Sequence, residues 1–327
     1  MKSAFKPAFK NAFYLLRAPL DILFAVLAAP SALILRTYRR IGSKRLSLTT
    51  RVLKGIGLFP IRNHYYEPLF DDAALSAPLS DDRALPGIDM NPDGQIAFLE
   101  TLVHAAELKE MRLDERTGDV RRFHLDNDGF ESGDAEFLYQ FVRAVKPGKI
   151  VEIGSGYSTR IAKAALDRNF ADTRVHPTHV CIEPYEMAWL EKLGVTVVRR
   201  KVEDCEIDWA RELKAGDLLF IDSSHVIRPQ GDVVTEYLQI IPQLASGVYV
   251  HVHDIFTPKD YLRSWIVDEV RLWNEQYILE ALLSDSPRYR IVAALNYLQH
   301  HHYDALRAVC PYLSPEREPG SFYFRVE

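Results

Sequence analysis

A chain of 327 residues with 47% hydrophobic and 26% charged content has the make-up of an ordinary globular protein, which excludes fibrous and disordered classes. The net charge of -5 conceals a split: residues 1–66 hold twelve Lys/Arg against one acid, Asp21, and the rest is acidic, which argues against nucleic acid as a partner. Cys181, Cys205 and Cys310 are far apart, match no disulfide framework or zinc spacing, and fit a reducing, cytoplasmic setting.

In chain order, the first element is a basic, partly apolar arm over residues 1–66. Its centre, "APLDILFAVLAAPSALIL" (residues 18–35), is flanked by Lys2, Lys6, Lys10 and Arg17 before and by Arg36, Arg39, Arg40, Lys44 and Arg45 after. A secretory signal has such flanks, and "AAPSA" is a loose cleavage site. A spanning helix needs ~20 apolar residues, and Asp21, Pro19 and Pro30 interrupt a barely sufficient length. The expectation is a helix lying on an anionic membrane surface, peripheral at the inner face; a helix docked on the protein itself or on a second subunit is the alternative. "FPIRNHYYEPLF" (residues 59–70), with Tyr65 and Tyr66, is a candidate lid over an acceptor pocket.

Residues 67–130 read as a linker and helical cap. Residues 69–89 are rich in Asp, Pro and Ser without apolar period. Ile96, Leu99, Leu102, Val103 and Ala106 then share one helical face, with Asn91-Pro92 as cap and first-turn proline.

Residues 131–327 alternate helix and strand. Phe137, Leu138, Phe141, Val142 and Val145 mark a helix closed by Pro147-Gly148. Strands follow at "KIVEIG", "HVCIEP", "VTVVRRKV", "DLLFID" and "GVYVHVHD", separated by helices at "STRIAKAALDRN", "EMAWLEKL" and "VVTEYLQIIPQL". A long helix is expected around "WIVDEVRLWNEQYILEALL", then strands at "RIVAALN" and "SFYFRV". Apolar strands joined by helices predict an α/β doubly wound, mostly parallel sheet with helices on both faces.

"VEIGSGYST" (residues 151–159) carries an acid, Glu152, into a turn made by Gly154, Ser155 and Gly156. In such a sheet, ligands sit beyond the carboxyl ends of the strands. A dinucleotide fingerprint needs a third glycine where Thr159 stands, so that reading fails. Taken in order, "VEIGSGYST", "CIEP", "LLFIDSSH" and "VYVHVHDIF" resemble the class I S-adenosylmethionine-dependent methyltransferases, nearest the branch of macrocin and catechol O-methyltransferases. The resemblance covers about 130–327, "GSFYFRVE" resembling the final antiparallel strand of a seven-stranded Rossmann-like sheet.

That resemblance implies site roles. Glu152, Gly154, Ser155, Gly156, Ser158 and Thr159 would hold the methionine end of the cofactor, Glu183 the ribose hydroxyls, and Glu203 or Asp204 the adenine, with Asp222 also at the cofactor. In the metal-dependent members, carboxylates at the ends of the fourth and fifth strands bind magnesium; here these are Asp222 and Asp254. The general base three residues after the first is His225. The pattern departs where another oxygen ligand should follow Asp254: Ile255 stands there, leaving His253, His225 or water as third ligand of a Mg²⁺ or Mn²⁺ ion. His251 is given no role, and His300–His302 read as a solvated turn. "RLWNEQY" (residues 271–277) offers Trp273 and Glu275 as substrate contacts. The expected activity is methyl transfer to a hydroxyl of a small-molecule, sugar or lipid-linked acceptor. A hydroxylase-type enzyme on the same fold and a non-catalytic membrane scaffold are the rivals, and homo-oligomerisation is left open.

Overall fold

Leu218, Leu219, Phe220 and Ile221 are apolar at four successive positions of a strand, and in the computed structural model all four are fully buried. Alternation sends Leu218 and Phe220 into one core and Leu219 and Ile221 into another, because both faces of the sheet are covered. The structure describes residues 5–127, 129–185 and 187–327, with side chains from Arg17 onward; the flanking Lys2 lies outside the described residues. The chain divides into two units, Met1–Ser76 and Ala77–Glu327.

The first unit contains α1 (Phe5–Ile41) and α2 (Ser47–Ile56). Tyr38, near the end of α1, is buried, with its hydroxyl 2.6 Å from Thr50 Oγ1 on α2 and its ring edge-on to Phe59.

In the second unit, α3 (Pro92–Glu100) and α4 (Ala105–Met111) replace the single helix expected there. Pro92 occupies the first turn as expected, but the Asn91 side chain does not cap it; its amide donates to the Ile291 carbonyl instead. Next come α5 (Asp134–Val145), β1 (Lys149–Ile153), α6 (Tyr157–Thr173), β2 (Thr178–Ile182), β3 (Thr196–Val198) and β4 (Leu218–Ile221). The helix expected at "EMAWLEKL" shrinks to a 3₁₀ turn, Leu190–Leu193, ended by Gly194 in the left-handed region. After α7 (Asp232–Thr235), a wider π turn and a 3₁₀ turn carry the chain to β5 (Tyr249–Val252). The last elements are α8 (Glu275–Leu283), β6 (Tyr289–Ala294), α9 (Leu295–His301), α10 (Tyr303–Val309) and β7 (Phe322–Val326).

The seven strands run in the order β3-β2-β1-β4-β5-β7-β6, with β7 antiparallel to both its neighbours and the other pairs parallel. Strand order reverses between β1 and β4, so their carboxyl ends, Ile153 and Ile221, flank the natural ligand crevice. One expectation gives way before the site is reached. The long helix predicted around residues 265–283 is broken: Ser264–Asp268 make a π turn, Val270 takes φ +55°, and α8 starts only at Glu275. The break lets the amides of Asn274 and Glu275 donate to the carbonyl of His225.

Candidate active site

The crevice begins where β1 ends. Gly154 has φ +76°, and a Cβ there would lie 1.8 Å from the carbonyl oxygen of Asp222, so the β1 and β4 loops approach closely only because this residue is glycine. Beyond it opens a cavity of ≈ 440 Å³, walled by Gly154, Glu183, Tyr185, Val202, Glu203 and Asp222 among others, large enough for a nucleoside-sized ligand. Glu183 is placed at the end of β2 and is held there by two backbone donors, Ser155 N at 3.2 Å and Tyr185 N at 2.8 Å. Glu203 lines the cavity, whereas Asp204 is exposed and does not.

Glu152 turns away from this cavity. It is fully buried between sheet and α6, accepting from the Thr159 hydroxyl, with Cys181 Sγ at 3.7 Å and His179 Nε2 at 3.3 Å. Thr159 Oγ1 in turn accepts from Gly156 N. These residues, with Ser158 buried beside them, tie the turn to the sheet rather than line the pocket. Where a dinucleotide site has its third glycine, this chain has a threonine that holds the loop through hydrogen bonds.

Asp222 belongs both to the cavity and to a second group. Oxygens of Asp222 and Asp254 and a ring nitrogen of His225 all lie within 4.8 Å of one another. His225 Nε2 is 3.4 Å from Asp222 Oδ1 and 3.6 Å from Asp254 Oδ2, while Nδ1 is 2.8 Å from Glu275 Oε2. Glu275 Oε1 accepts from the Tyr237 hydroxyl at 3.0 Å. Both His225 and Asp254 have φ +59°, uncommon for residues with a side chain, so β5 has ended before Asp254 and strand alternation no longer fixes its direction. Trp273 packs against the imidazole, ring centroids 4.3 Å apart and planes tilted by 45°, and remains part-exposed.

The loop carrying His225 is fastened from behind. Asp232 accepts from the Ser224 amide and hydroxyl, and Glu236 accepts from the Ser223 hydroxyl. Burial, then the charges of Glu275 and Asp232, push the Glu236 carboxyl well above its usual range. For His225, burial opposes protonation, but the hydrogen bonds to Asp222 and Glu275 and the charge of Asp254 outweigh it and hold the imidazole well above its ordinary value. Burial also pushes Asp222 upward, yet His253 and His225 bring it below the usual carboxylate range. Asp254 is pushed up by its burial, only partly offset by the two histidines.

The sequence-expected residues are thus sorted by the fold. His253 is not part of the converging group; its Nε2 sits 3.5 Å from Asp254 Oδ1, and its ring packs on Phe130. Glu275, expected at the substrate, is fully buried with both oxygens engaged, and it orients His225. Tyr65 and Tyr66 belong to the first unit, where their rings meet edge-on at 5.1 Å and stand exposed. His251 is buried between Phe220 and Tyr323, and His300 and His301 pair with Glu318 and Asp82 at the surface. Sequence reasoning missed Glu236 and Asp134, which accepts from the Gly320 and Ser321 amides. It also missed His179 beneath the loop. The acids Glu236 and Asp134 sit in apolar helical stretches, where a charged residue in a buried register was the available signal.

Oxygens of Asp222 and Asp254 lie close enough together to share one divalent ion, with the His225 imidazole beside them. Asp222 supplies the open side, with about 32% of its side chain exposed against 6% for His225.

Residues 151–255 match the model of a methyltransferase domain family. A curated relative, an uncharacterised protein of Archaeoglobus fulgidus, is 25% identical over 138 residues, or 41% of this chain; the match spans only 61% of that protein. Two solved structures of the plantazolicin methyltransferase BpumL are similar. One holds a pentazolic desmethylPZN analogue and S-adenosylhomocysteine, with 12% identity, TM-score 0.35, and coverage of 72% of this chain and 98% of that one. The other holds S-adenosylhomocysteine, with 12% identity, TM-score 0.33, and coverage of 73% and 98%. At such TM-scores the likeness is remote. Residues 151–255, which are similar to a methyltransferase domain family, hold β2 to β5 and most of β1 of the doubly wound sheet.

Proposed function

We propose that this protein transfers a methyl group from S-adenosylmethionine to a hydroxyl oxygen of a small acceptor such as a sugar, a polyketide-like molecule or a lipid-linked molecule. The observation that carries the reading is His225, held by Glu275 through Nδ1 with Nε2 directed at Asp222 and Asp254 on the rim of the cavity.

Gly154 and the glycine turn fit the cofactor because they leave backbone, not side chain, at the crevice floor. Glu183, with both oxygens aligned by backbone donors at the end of β2, is the carboxylate suited to accept from the two ribose hydroxyls. Glu203 is the acid left to face the adenine end. Once bound, the cofactor supplies an electrophilic sulfonium methyl, so the protein's remaining work is to place a hydroxyl in line and remove its proton.

His225 is that proton acceptor. Glu275 accepts a hydrogen bond from Nδ1–H, which fixes the tautomer with the lone pair on Nε2. Asp222 and Asp254 are the residues that would hold a divalent ion, whose charge lowers the pKa of a hydroxyl bound beside it. The charges of Asp222 and Asp254 hold the imidazole above its ordinary value. With a divalent ion held by these two carboxylates, that charge would be offset, favouring the form of His225 that accepts a proton at Nε2. Trp273 offers an apolar, part-open wall next to the imidazole for the acceptor ring or chain.

The test is transfer of isotope-labelled methyl to a panel of hydroxyl compounds, with and without Mg²⁺ or Mn²⁺. Label in an ether product, dependent on the metal, supports the reading. Label on nitrogen or carbon, or none despite cofactor binding, refutes it and favours the hydroxylase-type rival.

A further inference from the structure

The apolar centre of α1 is unlike any surface in the second unit. Between Arg17 and Ile41 its most apolar window has mean hydropathy 2.0, and none of that window is buried. The exposed side chains are not on one stripe: Ile22, Leu23 and Phe24 are consecutive, as are Val26 and Leu27, and Leu33 and Ile34. Apart from Asp21, near its start, the stretch is apolar all round and has no polar face to turn toward water, so it belongs inside an apolar medium rather than flat on its boundary. Pro19 and Pro30 lie within it, which costs least in a membrane setting. The helix also continues past the "AAPSA" stretch to Tyr38, which packs against Thr50 and Phe59, so α1 is part of the folded unit.

Where the apolar stretch ends, the charge begins. A cavity of ≈ 610 Å³ opens there, and Arg36, Arg39, Arg40 and Arg62 border it. Leu35 and Ile61 supply an apolar side to the same cavity. Glu67 engages Arg39 and lies 3.7 Å from Arg62, which fixes two of the four guanidinium groups and leaves the cavity with a net positive charge. Arg36 and Arg40 are exposed.

We propose that this cavity binds the phosphate of an anionic phospholipid, with the adjoining α1 segment inserted in the bilayer. The chemistry matches at each level: guanidinium forks recognise phosphate oxygens bidentately, and the apolar side accommodates the glycerol and first acyl carbons. The cavity lies at the end of an apolar helix stretch of 18 residues, about 27 Å long, close to the hydrocarbon thickness of a bilayer. Basic residues are denser after the stretch than before it, which places the cavity on the cytoplasmic side. This inference is independent of the reaction proposed above.

The experiment is flotation of the full chain with vesicles of phosphatidylcholine alone and of phosphatidylcholine mixed with phosphatidylglycerol. The chain is expected to float with both, to resist release by high salt, and to prefer the anionic vesicles. The double variant Arg36→Gln/Arg40→Gln should lose more than about 100-fold of that preference, since each guanidinium gives up a charged hydrogen bond to the phosphate. Lys44→Gln/Arg45→Gln removes the same charge outside the cavity and should lose at most about 30-fold, the effect of surface charge alone. Equal losses from the two double variants would mean diffuse surface charge and overturn the headgroup site. A chain that stays unfloated, or is stripped from the vesicles by salt, would overturn insertion.

Discussion

The two halves of the crevice are built by different means. On the β1–β2 side, Gly154 and Glu183 wall the cavity, and the hydrogen bonds that place Glu183, from Ser155 and Tyr185, span at most 28 residues of chain. On the β4–β5 side, Asp222, His225 and Asp254 depend on Glu275, which lies 50 residues beyond the histidine it orients. The first half is suited to hold a ligand of fixed shape; the second concentrates charge where a proton must move. A pocket can be written into a short motif, but a charge relay has to be assembled by the tertiary fold.

Gly154→Ala strikes the hinge between the halves and is the most damaging single change. The new methyl would collide with the Asp222 carbonyl in a left-handed backbone, so stability should fall by about 3 kcal/mol or more, and both cofactor binding and turnover should disappear. Urea unfolding and calorimetry read the two effects.

His225→Ala separates the halves. Turnover should drop about 10³-fold while S-adenosylhomocysteine affinity stays within about 3-fold, since the imidazole lies outside the cavity wall. Glu275→Gln should cost about 100-fold in kcat through the lost carboxylate charge beside Nδ1–H, again without weakening the cofactor. A matching loss of cofactor affinity in either variant would merge the halves and break the comparison.

Glu183→Ala sharpens it from the other side, weakening S-adenosylhomocysteine by about 10- to 30-fold through the lost carboxylate–hydroxyl bonds. With saturating cofactor, kcat should stay near that of the parent.

The smallest effect lies away from the crevice, where α4 meets α5. Burial pushes Glu107 upward, but hydrogen bonds from Arg143 and Tyr139 and the charge of Arg143 bring its carboxyl from 4.5 to about 2. A folded pKa below the unfolded one gives stability that is present above 4.5 and lost as pH falls toward about 2. The melting temperature should therefore decline across that window, and Glu107→Gln should flatten the decline.

The sequence carried most of the fold because its signals are local. Apolar tetrads such as Leu218 to Ile221 mark strands buried on both faces, and Gly154 marks the close approach at the end of β1. The parts that escaped are those where tertiary contacts override local preference. Residues 265–283 have helical period throughout, yet the chain opens at Val270 so that two amides reach the His225 carbonyl and Trp273 reaches its ring. Glu152 looks like a pocket acid in the motif, but alternation along β1 turns it inward onto Thr159, Cys181 and His179. Glu236 reads as a surface residue until Glu275 and Ser223 are seen around it.

The most direct test of the account is calorimetric titration of the folded full chain with S-adenosylhomocysteine. The account predicts micromolar binding at a stoichiometry near one, lost in Gly154→Ala and kept in His225→Ala. No heat from a folded chain would contradict the methyltransferase reading at its root.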